Sequence, residues 1–205
     1  MNAHNLQQVV PGFDDESFGS QAVFSTVLEA LSHPGRPLIV PTNCALPTHG
    51  QASAAAIMLS LLDADTSLWL SDTLRQSDTA VWLRFHTGCQ LVTEPEAAQF
   101  LWIAQGDAMP TLSALRLGSD TYPDQSATCI LETSGMHANA SGWTLTGPGI
   151  LNQHFIGMSG LPDEFLAAWQ SNYRLFPRGI DVLLTTPTHL VGLPRTTKIL
   201  TTSEP

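Results

Sequence analysis

Four short segments carry residue types that could hold an anion. They are Arg84-Phe85-His86-Thr87-Gly88, Thr146-Gly147-Pro148-Gly149, Phe176-Pro177-Arg178-Gly179-Ile180-Asp181 and Leu193-Pro194-Arg195-Thr196-Thr197. Each joins glycine or proline punctuation to an arginine or a hydroxyl. Arginine offers a planar fork of donors matched to carboxylate or phosphate, and histidine titrates near neutrality. Arg84, His86, Thr87, Arg178, Arg195 and Thr196 are therefore the candidate anion- or ligand-binding residues. The same arginines would equally satisfy carboxylates such as Asp181, or carbonyls at helix C-termini, and the sequence leaves both readings open. His86 and Cys89, three apart, could be drawn as base and nucleophile, but a packed thiol beside a helix-terminal imidazole fits that spacing better. No catalytic residue is assigned.

Other chemistry finds no footing. There is no Gly-x-x-x-x-Gly-Lys-Ser/Thr phosphate loop, and Gly147-Pro148-Gly149 lacks the third glycine of a dinucleotide fingerprint, which makes it a turn. None of the seven histidines falls at metal-ligand spacing with cysteines or carboxylates, so no metal is expected. No Gly-x-Ser-x-Gly elbow is present. The one lysine, Lys198, lies near the C-terminus, a poor position for a pyridoxal phosphate Schiff base.

The 205 residues are 43% hydrophobic, enough for a sizeable core, and only 13% charged, about half the ~25% usual for soluble domains. So few charges favour a surface covered by a partner. The net charge of -10 argues against nucleic acid, which needs clustered Lys and Arg, and against an anionic membrane surface. The basic residues are unevenly spread: residues 174–205 carry +2 through Arg174, Arg178, Arg195 and Lys198, while 1–173 carry -12. That tail is either anion-facing or paired within the assembly. Cys44, Cys89 and Cys129 are few, distant and unpaired by motif, which predicts buried thiols in a reducing cytoplasm. No apolar run reaches the ~20 residues needed to span a bilayer, and the first ten residues do not read as a signal peptide.

The elements that must position these residues can be read in order. A single domain is expected over 1–205, with 1–12 a flexible lead-in and 199–205 a frayed end. Asp14, Asp15 and Ser17 are candidate N-caps for a helix with Phe18, Val23, Phe24, Val27, Leu28 and Leu31 at helical spacing, stopped by Ser32-His33-Pro34-Gly35. Leu38-Ile39-Val40, between Pro37 and Pro41, reads as an edge strand. Residues 51–62 form a small-residue helix and 67–71 a buried strand. Asp72 caps a helix through about Phe85, leaving His86-Thr87-Gly88 at its exit before a strand at 90–92. A helical turn at 94–98 leads to a strand at 100–103, and 108–117 reads as a helix. A strand over 126–132 is expected to pair with 143–146 as a hairpin. Pro162 opens a helix to about Leu175, and 179–185 and 189–193 read as two strands. Helices interleaved with strands predict an α/β fold, layered helices around a mixed β-sheet.

Nine segments, in order over roughly residues 11–198, resemble the PhnH family of the bacterial carbon–phosphorus lyase system. They are Pro11-Gly12-Phe13-Asp14; Ser20-Gln21 with Phe24; Ala30-Leu31-Ser32-His33-Pro34-Gly35; Leu61-Leu62-Asp63-Ala64-Asp65-Thr66-Ser67-Leu68-Trp69-Leu70; and Leu83-Arg84-Phe85-His86-Thr87. Tyr122-Pro123-Asp124 with Ser126-Ala127-Thr128, Leu145-Thr146-Gly147-Pro148-Gly149-Ile150, Pro177-Arg178-Gly179-Ile180-Asp181 and Leu193-Pro194-Arg195-Thr196-Thr197 complete the series.

The resemblance implies a fold similar to the large domain of pyridoxal-phosphate-dependent transferases but without that cofactor. It also implies a cytoplasmic homodimer that joins the PhnG, PhnI and PhnJ subunits. In that family's pathway, PhnG, PhnH and PhnI, with PhnL, convert ATP and an alkylphosphonate to α-D-ribose 1-alkylphosphonate 5-triphosphate and adenine, so ATP enters as a substrate of the complex. PhnJ, an iron–sulfur radical enzyme, later breaks the carbon–phosphorus bond; this chain lacks a cysteine cluster for that role. The resemblance carries over no catalytic residue. The alternative is a stand-alone enzyme or binding protein for a small phosphorylated ligand such as a phosphonate or nucleotide, and a purely structural dimer is a third reading.

Overall fold

The computed structural model describes residues 10–45, 47–137 and 142–201. Asp15 starts the first helix, its Oδ1 accepting from the Phe18 N–H at 3.0 Å. Helix α1 (Glu16–Ser32) turns Val23, Val27 and Ala30 inward and leaves Phe18, Phe24 and Leu28 exposed. After β1 (Leu38–Ile39), α2 (Ala52–Leu61) buries six consecutive residues from Ser53 to Met58, as its small side chains allow. Strand β2 (Ser67–Leu70) follows.

The single helix expected after Asp72 is two, α3 (Asp72–Arg75) and α4 (Thr79–Thr87). Ser77 breaks it: its hydroxyl donates to the Leu74 carbonyl and accepts from the Thr79 N–H, so side-chain bonds replace helical ones. Beyond lie β3 (Gln90–Leu91), β4 (Phe100–Ile103), β5 (Thr128–Glu132), β6 (Gly135–His137), β7 (Trp143–Thr146) and β8 (His154–Ser159). Helix α5 (Phe165–Tyr173), β9 (Asp181–Thr185), β10 (His189–Leu193) and β11 (Lys198–Thr201) complete the chain.

Seven strands form a mixed sheet in the order β1-β10-β9-β5-β4-β2-β3. From β9 to β3 the neighbours are parallel, and β10 and β1 close one side antiparallel. The expected layered α/β arrangement around a mixed sheet is therefore present. Because strand side chains alternate faces, Trp102, Ile130 and Leu183 join a core with α1, α2 and α4. Leu101, Ile103, Cys129, Leu131, Val182 and Leu184 join a second core with α5 and the small sheet. That small sheet is antiparallel, in the order β11-β7-β8-β6.

Three expectations are corrected. Residues 108–117 hold only a 3-10 turn at Leu112–Ala114: Pro110 interrupts the stretch, and Leu117 is drawn into a bridge with Ser126. β7 does not pair with β5, because β4 and β9 already occupy both edges of β5; β7 lies between β8 and β11 instead. Residues 199–201 are not frayed but belong to β11, paired with β7 from Lys198↔Thr146 to Thr201↔Trp143. Strands β6 and β8 were not expected at all. No helix among the described residues is long and apolar enough to cross a membrane.

Helix α1 crosses β10 at Gly192, where no side chain fits. A Cβ there would lie 2.4 Å from the Ala30 carbonyl oxygen and 2.6 Å from its carbon. Gly192→Ala should therefore lower stability by about 1–3 kcal/mol, the usual range for overpacking. A urea midpoint lowered at unchanged m value would bear this out; an unshifted midpoint would show that α1 can withdraw freely.

Candidate functional site

The candidates fall into two separate neighbourhoods. The first is the last turn of α4. Gly88 closes it in the left-handed conformation, φ 73°, with its N–H on the Arg84 carbonyl at 3.1 Å. Thr87 donates its hydroxyl to the Leu83 carbonyl and accepts the Cys89 N–H. His86 Nε2 lies 2.9 Å from the Val10 carbonyl, which also accepts from Trp82 Nε1 at 3.1 Å. A carbonyl can only accept, so Nε2 carries the proton. The imidazole stands edge-on to Trp82 and Phe85, with centroids 5.3 and 5.0 Å away. His86 and Thr87 thus hold the segment entering at Val10 and the helix exit. Cys89 is buried, and desolvation raises its thiol pKa despite the Thr87 hydroxyl and the Arg84 charge; it is not paired with His86. Arg84 is exposed and makes no ion pair with any described residue.

The second neighbourhood is centred on Arg195. Its Nη2 donates to Asp181 Oδ2 at 2.6 Å and to Ser126 Oγ at 2.5 Å, its Nη1 to the Pro123 carbonyl at 2.7 Å, and its Nε to Asp181 Oδ1 at 3.2 Å. The backbone N–H of Arg195 adds a bond to Asp181 Oδ1 at 2.8 Å. The Arg195 side chain is only 12% exposed. Around it, Asn172 brackets Ile180 with two bonds of 2.9 and 3.0 Å, Gly179 N–H reaches the Leu117 carbonyl, and Trp169 Nε1 reaches the Thr197 carbonyl. The Thr196 carbonyl lies against Gly147, where a Cβ would approach it to 2.7 Å. Arg178 stands outside this cluster, paired with exposed Asp120 at 3.3 Å. The structure therefore unites Arg195, Thr196 and three of the punctuated segments, and leaves Arg84, His86 and Thr87 elsewhere.

A further centre went unread in the sequence. In open parallel sheets, ligands bind outside the carboxyl ends of the strands. Here Glu132, the last residue of β5, sits buried at that edge and accepts from Gln51 N–H at 2.6 Å, Trp102 Nε1 at 2.9 Å and Gln105 N–H at 3.2 Å. Gln51 is the N-cap of α2 and offers no side-chain cap of its own, so the carboxylate meets the positive end of the helix. Alongside, Ser53 donates to the Thr186 carbonyl, Thr133 to the Thr185 carbonyl, and Ser71 accepts the Ala104 N–H. Two polar atoms at this edge, Gln51 Oε1 and Thr185 Oγ1, are buried without a hydrogen-bond partner among the described residues. Lys198, the only lysine, is on β11 of the small sheet and not here.

Both centres are testable. Arg195→Ala would strand a half-buried Asp181 and two further acceptors, a loss of about 3 kcal/mol. In a double-mutant cycle, Arg195→Met with Asp181→Leu should cost less than the two single changes together; additive losses would refute the coupling. For Glu132, burial raises the carboxyl pKa, opposed by its three N–H donors, with nearby Asp107 adding to the rise. The folded protein then holds this proton to higher pH than the unfolded chain. That contribution is full below the ordinary glutamate range and is lost as pH rises through the folded value. The stability of the wild type minus that of Glu132→Gln should be greatest at acid pH and fall as pH rises above the ordinary glutamate range; a constant or growing difference would contradict it.

Comparison with known proteins places these centres in a family. A sequence model described as bacterial phosphonate metabolism protein (PhnH) matches residues 11–200. The alpha-D-ribose 1-methylphosphonate 5-triphosphate synthase subunit PhnH of Rhizobium meliloti (strain 1021) is 36% identical over 189 residues, 91% of this chain and 93% of that protein. HtxG of Stutzerimonas stutzeri, named as a C-P lyase subunit protein, is 31% identical over 186 residues, 87% of this chain and 85% of its own length. The chain belongs to the PhnH family of bacterial phosphonate metabolism proteins.

Proposed function

We propose that this chain is a non-autonomous subunit of a carbon–phosphorus lyase complex. In this reading it acts with PhnG, PhnI and PhnL to form α-D-ribose 1-alkylphosphonate 5-triphosphate from ATP and an alkylphosphonate. The observation that carries the reading is the family match over residues 11–200, together with the 36% identity to a named synthase subunit. The site geometry supports it in a second way. Among the described residues, Glu132 and Arg195 are each committed to internal hydrogen bonds, as suits a subunit that completes a shared site.

In the same proposal the chain works in the cytoplasm as a homodimer within a core complex that also contains PhnJ. Its fold is like the large domain of pyridoxal-phosphate-dependent transferases, and it carries neither that cofactor nor a metal. The outward face of α1 supports burial against another subunit: Phe18, Phe24 and Leu28 are exposed there, at 73%, 44% and 50%, and such apolar patches mark interfaces. Among the sequence-derived anion candidates, Arg84 is the one whose charge is free to meet a partner or a phosphate.

Co-expression of the tagged chain with PhnG, PhnI and PhnJ decides the matter. The expected result is one co-eluting complex that, once PhnL is added, turns over ATP and phosphonate only when this chain, PhnG and PhnI are all present. A chain that elutes alone from that mixture, or turns over ATP and phosphonate unaided, would overturn the proposal in favour of a stand-alone enzyme.

A further inference from the structure

Of the four cations in the last 32 residues, two are engaged by carboxylates: Arg195 by Asp181 and Arg178 by Asp120. The other two, Arg174 and Lys198, are exposed and make no ion pair or side-chain hydrogen bond with any described residue. They are brought together by the fold. Both line a groove of about 470 Å³ between the end of α5 and β11, with Gln170, Tyr173, Ile199 and Leu200 completing its wall. Ligand pockets commonly run from about 300 to 1,000 Å³.

The groove's lining gives its chemistry. Lys198, Ile199 and Leu200 are consecutive, whereas a strand turns only alternate side chains to one face. Ile199 is buried in the second core, so Lys198 and Leu200 turn outward and the groove meets Ile199 only along the strand. Among the described residues β11 is the outer strand of the small sheet, paired with β7, and the groove lies beside this outer strand. Two cations, a tyrosine and the Leu200 side chain therefore border one space, on a chain whose net charge is -10. A purely apolar ligand would leave both cations unanswered, and a bare inorganic ion would leave Tyr173 and Leu200 unused.

We propose that the α5–β11 groove binds an organic polyphosphate. The phosphates lie between Arg174 and Lys198, and a flat apolar portion lies against Tyr173 and Leu200. The cations are held on two different elements, so a ligand with its charge spread over several phosphates engages both at once. Neither the Arg195 cluster nor the Glu132 edge takes part, and the inference does not depend on the subunit reading. A chain that fails to join a complex could still bind here, and the reverse also holds.

The purified full chain can be titrated separately with adenosine 5′-triphosphate, inorganic tripolyphosphate and adenosine while backbone amide shifts are followed. The triphosphate should shift the amides of Gln170, Tyr173, Arg174 and Lys198 to Leu200. Tripolyphosphate should do so more weakly, and adenosine should not saturate. Arg174→Gln with Lys198→Gln alters only exposed side chains, so the melting temperature should hold while nucleotide affinity falls at least about tenfold, as expected when two charge-assisted contacts are lost. Tyr173→Ala should weaken the nucleotide and leave tripolyphosphate unchanged. Three results would each overturn the proposal: groove amides that stay fixed, equal nucleotide affinity in the double variant, or tripolyphosphate bound as tightly as the nucleotide.

Discussion

A guanidinium carries five donors in one plane and no acceptor, so it is buried only where several acceptors already converge. At Arg195 they come from places far apart in the chain: the Pro123 carbonyl, Ser126 Oγ and both oxygens of Asp181. Asp181 begins β9, and Ser126 stands just before β5. Arg195 itself leaves β10. One side chain thereby fixes the entry of two central parallel strands against the exit of their antiparallel neighbour. The next residues, Thr196 and Thr197, run on to β11 and are tied to Gly147 and Trp169. The placement of the small sheet on the large one thus descends from the same guanidinium. The groove beside α5 inherits its shape from that turn.

The other end of the same strands is governed by a carboxylate. Glu132 answers the N-terminus of α2, the indole of Trp102 and the backbone after β4 at once. A charge kept away from water needs such donors, because an unpaired one costs several kcal/mol. The geometry has a functional consequence. Among the described residues, Glu132 and its donors occupy the carboxyl end of β5, and the proposed recognition rests instead on outer surfaces: the apolar face of α1, the exposed Arg84 and the groove beside β11.

Much of this was legible in local pattern. Asp15 caps α1 because its side chain is short enough to turn back onto the Phe18 N–H, and that signal is written in four residues. Phe100-Leu101-Trp102-Ile103 reads as a strand because an unbroken apolar run of that length suits a doubly covered parallel strand. Pro37 and Pro41 announced the edge position of β1. What failed was non-local. Nothing in Trp143-Thr144-Leu145-Thr146 says that β5 already has two neighbours, so the nearest strand looked like its partner. Residues 108–117 carry helix-forming Ala, Leu and Met, but the bridge from Leu117 to Ser126 and the Gly179 bond to the Leu117 carbonyl draw the stretch into a connector.

The candidate site divides on the same line. The arginines could be recognised as anion binders by type, but whether the anion is a ligand or Asp181 depends on a contact between the start of β9 and the turn after β10, 14 residues apart. For Arg195 the anion is Asp181. Glu132 gave no signal beyond a lone carboxylate at the end of an apolar strand. That arrangement is itself informative, because a strand that ends by burying a carboxylate requires donors from elsewhere, and a helix N-terminus is the cheapest source. The distribution of charge follows from these two demands. Arg195 and Glu132 take the roles that cannot be exposed, Arg36, Arg75 and Arg178 pair with carboxylates at the surface, and Arg174 and Lys198 are left with charges no described residue answers. In a protein this poor in charge, an unanswered pair on one groove creates a local field opposite in sign to the whole. It is short-ranged, reaching about 8 Å at physiological salt, so it selects what already touches the groove and does little to steer a partner from afar.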